Sequence, residues 1–259
     1  MPTVTINGAS IAYRDEGSGP PVLLLHAFPL SSAMWEGQIA ALARHRRVIA
    51  PDTRGLGGSS LGEGQVTLDT YADDVAGLMR ALGLERAAIV GLSMGGYIAF
   101  ALLRRHPQLV SALVLANTRA GADTEEGRRG REESARTAEE RGPAPVAEAM
   151  LPRLLSPGAP AELRERVRRM IEANSGAGIA AAQRAMAGRP DSTGLLASIA
   201  VPTLVIGAGQ DPIITLEETR AMRAAIPNSR LLEIAHAGHL SNLEAPEAFN
   251  TAVLGLLME

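Results

Sequence analysis

A single serine lies between two glycines, after an apolar segment and before a helical pattern. Ser93 is the centre of Gly-x-Ser-x-Gly, with Gly91 and Gly95 beside it. Residues 87–90 predict a buried strand, and residues 97–103 predict a helix that ends at Pro107. At such a junction, the pattern is typical of a sharp turn that presents a nucleophilic serine. Glycine suits the flanking positions because larger side chains would collide with neighbouring backbone. We therefore predict a nucleophile; a plain Gly-Ser turn is the alternative.

A serine nucleophile needs a histidine as base and an acid that orients the histidine. His236 and His239 directly follow the predicted strand RLLEIA, where sites occur in sheets of parallel strands. The acid is expected between serine and histidine in chain order. Asp211 follows the predicted strand TLVIG, whereas the alternative, Asp191, lies near the end of a helical segment. As an alternative, Asp211 could simply open a turn. The two histidines could also bind zinc, but few further ligands are available to complete such a site.

The elements around these residues alternate between strands and helices. The segment TVTINGASIAYRDEG predicts an antiparallel hairpin, because it alternates in polarity around an Asn-Gly pair. Further strands are predicted at PVLLLH, RVIAP, 112–116, TLVIG and RLLEIA, with helices at 32–42, 68–82, 217–225 and from Pro246 onward. This alternation predicts an α/β fold with a mostly parallel sheet and helices on both faces. Residues 119–191 interrupt the pattern, because they are charged, alanine-rich and helical.

Three motifs together resemble the α/β-hydrolase fold family, in particular its esterases, lactonases and C–C hydrolases. They are GLSMGG around Ser93, GAGQDP around Asp211 and AGHLSNLEAPEAF around His239. The resemblance covers nearly the whole chain. It implies an eight-stranded sheet formed by residues 1–118 and 192–259, with a helical cap over 119–191. It also implies a catalytic triad of Ser93, Asp211 and His239, since the family's histidine follows a glycine and precedes Glu-x-Pro.

The same resemblance assigns the groups around the triad. The backbone N–H groups of Phe28 and Met94 are expected to form the oxyanion hole, one after the strand PVLLLH and one after the nucleophile. Relatives usually have His-Gly-x-Pro where this chain has HAFP, so Ala27 replaces a glycine. Asp52 and Arg54, in DTRGLGGSS, are expected to hold their loop rather than bind substrate.

The substrate depends on the cap. Helices are predicted at 146–155, 163–173 and 178–187, and the arginines between 128 and 141 alternate with glutamates, which favours a solvated helix face. The cap shows no evident cation cluster aimed at a dianionic acid. Five residues could line an apolar pocket over Ser93 or equally pack the cap on the core, namely Met150, Leu151, Leu154, Met170 and Met186.

These observations predict a serine hydrolase that cleaves carboxylic esters of small to medium acyl groups through an acyl-enzyme. Enol-lactone hydrolysis, C–C bond hydrolysis and a receptor that keeps the triad are the alternatives. C–C hydrolases usually have Gly-Asn-Ser at the elbow, whereas Leu92 precedes the serine here. Dehalogenases of this fold have aspartate in place of Ser93.

Composition excludes several other classes. The net charge of −3 favours neither nucleic acid nor an anionic membrane as a partner. The absence of cysteine excludes disulfides and thiolate chemistry, and the absence of lysine excludes Schiff-base catalysis. No cofactor or metal is expected. The first residues do not resemble a signal peptide, so a cytoplasmic protein is expected. The oligomeric state and the physiological substrate stay open.

Overall fold

The computed structural model describes residues 1–258 and contains one eight-stranded sheet. The strands are β1 (Thr3–Ile6), β2 (Ala9–Glu16), β3 (Pro21–Leu25), β4 (Arg47–Pro51), β5 (Ala87–Leu92), β6 (Val110–Ala116), β7 (Thr203–Ala208) and β8 (Arg230–Ile234). Their order in the sheet is β1-β2-β4-β3-β5-β6-β7-β8. β1 and β2 pair antiparallel, β2 is antiparallel to β4, and the pairs from β4 to β8 are parallel. The predicted fold is confirmed.

The first two strands form the predicted hairpin. Its turn contains Asn7 with φ of 49° and Gly8 with φ of 77°. Both values lie in the left-handed region, which glycine and asparagine adopt most readily. The register pairs Ile6 with Ala9 and Thr3 with Ala12. The hairpin extends the sheet at the edge away from the strands that carry Ser93, Asp211 and His239.

Helices cover both faces of the sheet. They are α1 (Glu36–Leu42), α2 (Leu68–Ala81), α3 (Met94–Arg105), α8 (Leu216–Ala225), α9 (Ser241–Glu244) and α10 (Pro246–Leu257). Strand side chains alternate between two apolar clusters: Leu23 and Leu25 join one with α2 and α3, and Val22 and Leu24 join the other with α1 and α10. Burial on both faces explains why the central strands are almost continuously apolar.

Four helices stand between β6 and β7: α4 (Glu125–Arg141), α5 (Pro143–Leu154), α6 (Ala161–Glu172) and α7 (Gly176–Ala187). We call these four helices the cap helices. α4 and α7 pack closely, because Gly176 lies against the carbonyl of Ala138, where a Cβ would overlap it. The three helices expected at 146–155, 163–173 and 178–187 correspond to α5, α6 and α7. The division at residues 119 and 191 stays a prediction.

In residues 1–258, no helix is both long enough and apolar enough to span a membrane.

Candidate active site

Ser93 lies in a strained turn between β5 and α3. Its φ is 56° and its ψ is −113°, which L-residues rarely adopt. A Cβ on Gly95 would overlap the carbonyl oxygen of Leu25, and a Cβ on Gly91 would overlap that of Gly95. The turn is held from outside as well, since Ser93 N–H donates to Ala116 O at 2.9 Å and Thr118 Oγ1 donates to Ser93 O at 2.9 Å. The glycines thus permit a backbone that the neighbouring strands impose.

His239 and Asp211 meet at the carboxyl ends of adjacent parallel strands. His239 Nδ1 lies 2.8 Å from Asp211 Oδ2, and the two side chains are 1% and 0% exposed. Asp211 follows β7 and His239 follows β8, so strand pairing brings together residues 28 positions apart. The other carboxylate oxygen accepts from Ile213 N–H at 2.8 Å and Ile214 N–H at 3.0 Å. Asp211 is therefore fixed in orientation and leaves Nε2 of His239 for a further partner.

Asn117 completes this network, and sequence reasoning did not single it out. Its Nδ2 donates to Asp211 Oδ2 at 3.0 Å, and its Oδ1 accepts from Ser241 Oγ at 2.6 Å. Asn117 is fully buried and has a φ of 46°. The available signal was its place directly after β6, the strand between the ones that carry Ser93 and Asp211. Asparagine tolerates left-handed backbone better than most residues, and its amide supplies the two polar groups that the network uses.

The surroundings of Asp211 favour its ionised form. Burial alone would raise the pKa of this carboxyl, but the charge and hydrogen bond of His239 outweigh burial, aided by Asn117 and Ile214. The pKa of Asp211 therefore lies below its ordinary value, and the group is a carboxylate at neutral pH. A buried carboxylate beside Nδ1 holds that nitrogen in its protonated tautomer and stabilises an imidazolium.

Ser93 and His239 line one cavity of about 440 Å³ together with Phe28. The hydrogen bonds among residues 1–258 join His239 to Asp211 but do not join His239 to the Ser93 hydroxyl. Such contacts are often loose without substrate and tighten in the reacting complex. The structure therefore brings the three predicted residues to one place, with the acid–base contact formed.

The two expected oxyanion donors lie beside the nucleophile. Met94 is the first residue of α3, where helix N–H groups lack intrahelical acceptors, and Phe28 lines the cavity. Within residues 1–258, the hydrogen bonds include none from the amide of either residue. Ala27 has no positive φ, so the Cβ that replaces the family's glycine fits without left-handed strain. Neither amide thus has a competing acceptor among the described residues, and the oxyanion hole stays a prediction.

His26 orders this loop from beneath. Its Nε2 accepts from Thr53 N–H at 2.9 Å, which puts the proton on Nδ1, where it donates to Ala27 O at 3.0 Å. Complete burial lowers the pKa of His26, so the ring is neutral. Asp52 fixes the neighbouring loop by accepting from Ser32 N–H and Gly58 N–H, both at 2.7 Å. The expectation that Asp52 holds its loop agrees with these contacts.

Arg54 also holds its loop. Its guanidinium binds Asp74 through two hydrogen bonds of 2.7 Å, and both side chains are buried. It further donates to the carbonyls of Ile6 and Asn7 in the hairpin. Arg54 therefore ties the loop after β4 to α2 and to the first hairpin, away from the cavity.

The cap helices roof the cavity, and the structure decides between lining and packing for the five apolar candidates. Of the five apolar candidates, Met150 and Met186 line the cavity. Leu151, Leu154 and Met170 pack instead in the apolar cluster below α5 and α6. The interpretation of residues 128–141 as a solvated face is wrong for one residue, Arg131, whose side chain lines the cavity and donates to Gln183 Oε1 at 3.0 Å. The packing of α4 against α7 turns this side chain inward.

Two side chains join the cap helices to the loops of the site. Asn174, after α6, donates to Pro29 O at 2.9 Å and accepts from Gly57 N–H at 2.7 Å. Glu244 accepts through one oxygen from Gly238 N–H at 3.1 Å and from Ser156 N–H at 3.0 Å. The cap is thus bonded both to the loop of Phe28 and to the loop of His239.

The rival residues lie elsewhere. His236 is exposed and lines a separate groove of about 1100 Å³ that does not include Ser93. Asp191 is exposed and accepts from Thr193 N–H at 2.7 Å, outside the cavity. Within residues 1–258, no three His, Cys, Asp or Glu side chains are grouped so that they could hold a metal ion. The described residues therefore point to Asp211 and His239 as partners of Ser93.

Asp123 stabilises the cap at the cavity wall. It forms ion pairs with Arg131 and with Arg189, the latter at 2.7 Å, and its side chain is 12% exposed. Burial would raise the pKa of Asp123, but contacts with Arg189 and Arg131 outweigh it and lower the pKa. A carboxyl whose pKa is lower in the folded state adds stability above its ordinary pKa of about 3.9, and this is lost as the pH falls through the folded value.

We therefore expect Asp123→Asn to lower the free energy of unfolding by about 3 kcal/mol at neutral pH, because buried Arg189 and partly buried Arg131 lose their charge partner. The difference from wild type should be smaller at an acid pH below the lowered pKa of Asp123 in the folded protein, because wild-type Asp123 is then protonated too. Urea unfolding of wild type and Asp123→Asn, at neutral pH and at the acid pH, measures this difference in the free energy of unfolding. An equal difference at both pH values would contradict the assignment to the charge.

Comparisons with known proteins identify the family of the chain. A family model described as alpha/beta hydrolase fold matches residues 20–156 and 171–246. A 3-oxoadipate enol-lactonase from Acinetobacter baylyi is 31% identical, over 97% of this chain and 94% of its own length. Among solved structures, a thermophilic esterase from Thermogutta terrifontis with malate bound is 40% identical, with a TM-score of 0.97 over 100% of this chain and 98% of its own.

A second solved structure, the enol-lactonase from Burkholderia xenovorans, is 33% identical and matches over 100% of both chains with a TM-score of 0.90. The family match covers more than half of the chain, and the likeness to relatives extends over the sheet and the cap helices alike. The chain therefore belongs to the alpha/beta hydrolase fold family.

Proposed function

We propose that the protein is a serine hydrolase that cleaves carboxylic esters of small to medium acyl groups. The observation that carries this proposal is the contact of 2.8 Å between His239 Nδ1 and Asp211 Oδ2, in a cavity that both His239 and Ser93 line. A buried carboxylate, an oriented imidazole and an elbow serine are the parts that acyl transfer requires.

The reaction proceeds through an acyl-enzyme. Ser93 Oγ attacks the ester carbonyl carbon while His239 Nε2 accepts the hydroxyl proton. The amides of Phe28 and Met94 donate to the oxyanion of the tetrahedral intermediate, an arrangement worth about 3 to 4 kcal/mol per donor in comparable sites. His239 then returns the proton to the leaving alcohol as its bond to carbon breaks. Water, deprotonated by the same histidine, then attacks the acyl carbon. The bond from this carbon to Ser93 Oγ breaks, His239 returns the proton to Oγ, and the acid is released.

Relatives support ester-bond chemistry and keep a lactone as second candidate. The similar proteins named above are an esterase and two enol-lactonases. A lactone is a cyclic ester, so the same attack by Ser93 opens its ring and leaves acid and alcohol in one product. C–C bond hydrolysis has less support, because Leu92 stands where those enzymes usually have asparagine. Cytoplasmic location stays a prediction.

A labelling experiment tests the mechanism. A fluorophosphonate should modify the protein once, on the peptide that contains Ser93, and stop the hydrolysis of p-nitrophenyl butanoate in proportion to labelling. EDTA should leave the hydrolysis unchanged. Hydrolysis that persists after complete labelling, or that is lost with EDTA and restored by zinc, would exclude the serine mechanism. A receptor that merely keeps the triad would bind esters without turnover.

We expect short acyl esters to be cleaved better than long ones. The cavity has about 440 Å³ and is roofed by the cap helices, so acyl carbons gain about 0.8 kcal/mol per buried methylene only until the space is full. The measurement is kcat/KM across p-nitrophenyl esters from acetate to hexadecanoate. Met186→Ala should move the optimum to longer chains, whereas Met170→Ala, outside the cavity, should not. A steady rise to the longest chain would contradict a closed pocket.

A further inference from the structure

The wall of the cavity over Ser93 has an excess of positive charge. Its lining includes three arginines, Arg119, Arg131 and Arg153, and one carboxylate, Asp123. The chain as a whole has a net charge of −3, so this excess is local. Three guanidinium groups would weaken the binding of a neutral acyl chain, because a ligand that covers them removes their hydration and gives no charge in return.

Two of the three arginines already have partners. Arg131 is paired with Asp123 and donates to Gln183 Oε1 at 3.0 Å. Arg119 lies 3.2 Å from Glu218 and also donates to the carbonyl of Ile213. Asp123 in turn is shared with Arg189 at 2.7 Å, so its single charge serves two arginines. These contacts hold the wall but do not neutralise it.

Arg153 is different. In the described part of the chain, its guanidinium has no ion pair and no hydrogen bond, and the side chain is exposed at the mouth of the cavity that it lines. It lies on α5 with Ala149 and Met150, which also line the cavity, and residues four positions apart share a helix face. The helix that turns Met150 toward the cavity therefore turns Arg153 to the same side. The result is an unpaired guanidinium in the wall of a pocket whose lining also includes the nucleophile.

We propose that Arg153 binds a carboxylate group of the substrate, so that the preferred substrates are short esters or lactones that also carry a free carboxylate. This inference rests on the proposed function and narrows its substrate class. A guanidinium matches a carboxylate through two parallel N–H···O bonds, and neighbouring Arg131 and Arg119 add attraction without giving up their own partners. Arg153 is a specificity residue and takes no part in proton transfer.

Matched substrates test the proposal. Mono-p-nitrophenyl glutarate and p-nitrophenyl pentanoate have five-carbon acyl groups and differ in a terminal carboxylate. In the leaving group, 3-acetoxypropanoate and propyl acetate make the corresponding pair, followed by pH-stat titration. In at least one pair, wild type should prefer the charged member by about tenfold in kcat/KM, because charge-assisted hydrogen bonds favour the carboxylate while the exposure of Arg153 weakens them. Added salt should weaken the preference.

Two variants distinguish a specific effect of Arg153 from a general effect of positive charge on the protein. Arg153→Gln should lose the preference through a higher KM for the charged member while the neutral member is cleaved as before. Arg129→Gln removes a positive charge from the outer face of α4, where Arg129 pairs with Glu125, and should keep the preference. No preference in either pair, or a preference that survives in Arg153→Gln, overturns the proposal.

A binding measurement keeps this test independent of catalysis. Isothermal titration compares glutarate with pentanoate, the two acyl products, on wild type and both variants. Glutarate should bind more tightly to wild type and to Arg129→Gln but not to Arg153→Gln. If glutarate binds Arg153→Gln as tightly as wild type, the proposal fails even where ester hydrolysis is observed. If no ester is cleaved, the proposed function fails while glutarate binding still decides the role of Arg153.

Discussion

Replacing Ser93 with alanine is expected to lower kcat for p-nitrophenyl butanoate by about 10⁴- to 10⁶-fold, the loss found when a serine nucleophile of this kind is removed. The physical reason is that Oγ is the atom that forms the bond to the acyl carbon. The backbone at φ of 56° is as strained for alanine as for serine, and the hydrogen bonds that hold the turn use only the backbone of Ser93. The melting temperature should therefore change little.

Ser134 provides the matched control. It also lines the cavity, and its hydroxyl accepts from Gln183 Nε2 at 2.9 Å without contact to the histidine or the acid. Ser134→Ala should cost far less activity than Ser93→Ala and should leave labelling by a fluorophosphonate intact. If Ser93→Ala keeps full activity with the same melting temperature, the nucleophile lies elsewhere and the proposed mechanism is wrong.

The second large effect is expected at His239. His239→Ala should reduce kcat nearly as much as the serine variant, because His239 is the one imidazole among the described residues that line the cavity, and the carboxylate of Asp123 there is held by two arginines. His236→Ala should retain most activity, since this side chain is exposed in a separate groove. Steady-state kinetics of both variants on the same ester make the comparison.

Asp211→Asn distinguishes a role in catalysis from a role in folding. The amide is close in size to the carboxylate, but it removes the charge that stabilises an imidazolium, so kcat should fall by about 10⁴-fold. If His236→Ala lost more activity than His239→Ala, the base would be misassigned and the contact between His239 and Asp211 would be structural only.

Local sequence was sufficient to predict an α/β fold with a mostly parallel sheet and to select the main candidate residues. The central strands are apolar on both faces because helices cover both sides of the sheet, and that run of residues is visible in PVLLLH without any structure. The role of Gly91 and Gly95 could be predicted from the motif around Ser93, because a sharp turn at the serine leaves no room for Cβ atoms at these two positions. Asp211 was favoured over Asp191 because it directly follows a predicted strand, whereas Asp191 lies near the end of the helical segment.

Only the tertiary structure decided which side chains complete and enclose the site. Asn117 binds Asp211 because β6 lies between β5 and β7, a neighbour relation that sequence spacing does not encode. The choice between Met150 and Leu151 depends on the rotation of α5 about its axis, because adjacent residues on a helix face different directions.

The charges of the cavity were the hardest to foresee. Arg131 alternates with acidic residues along α4, which is the pattern of a solvated face, yet packing against α7 turns it inward toward Gln183. Arg153 is unpaired because no acidic side chain of a neighbouring element reaches it in the described structure. Both facts depend on how whole helices pack, and helix packing is set by the sum of many side-chain contacts rather than by any local motif.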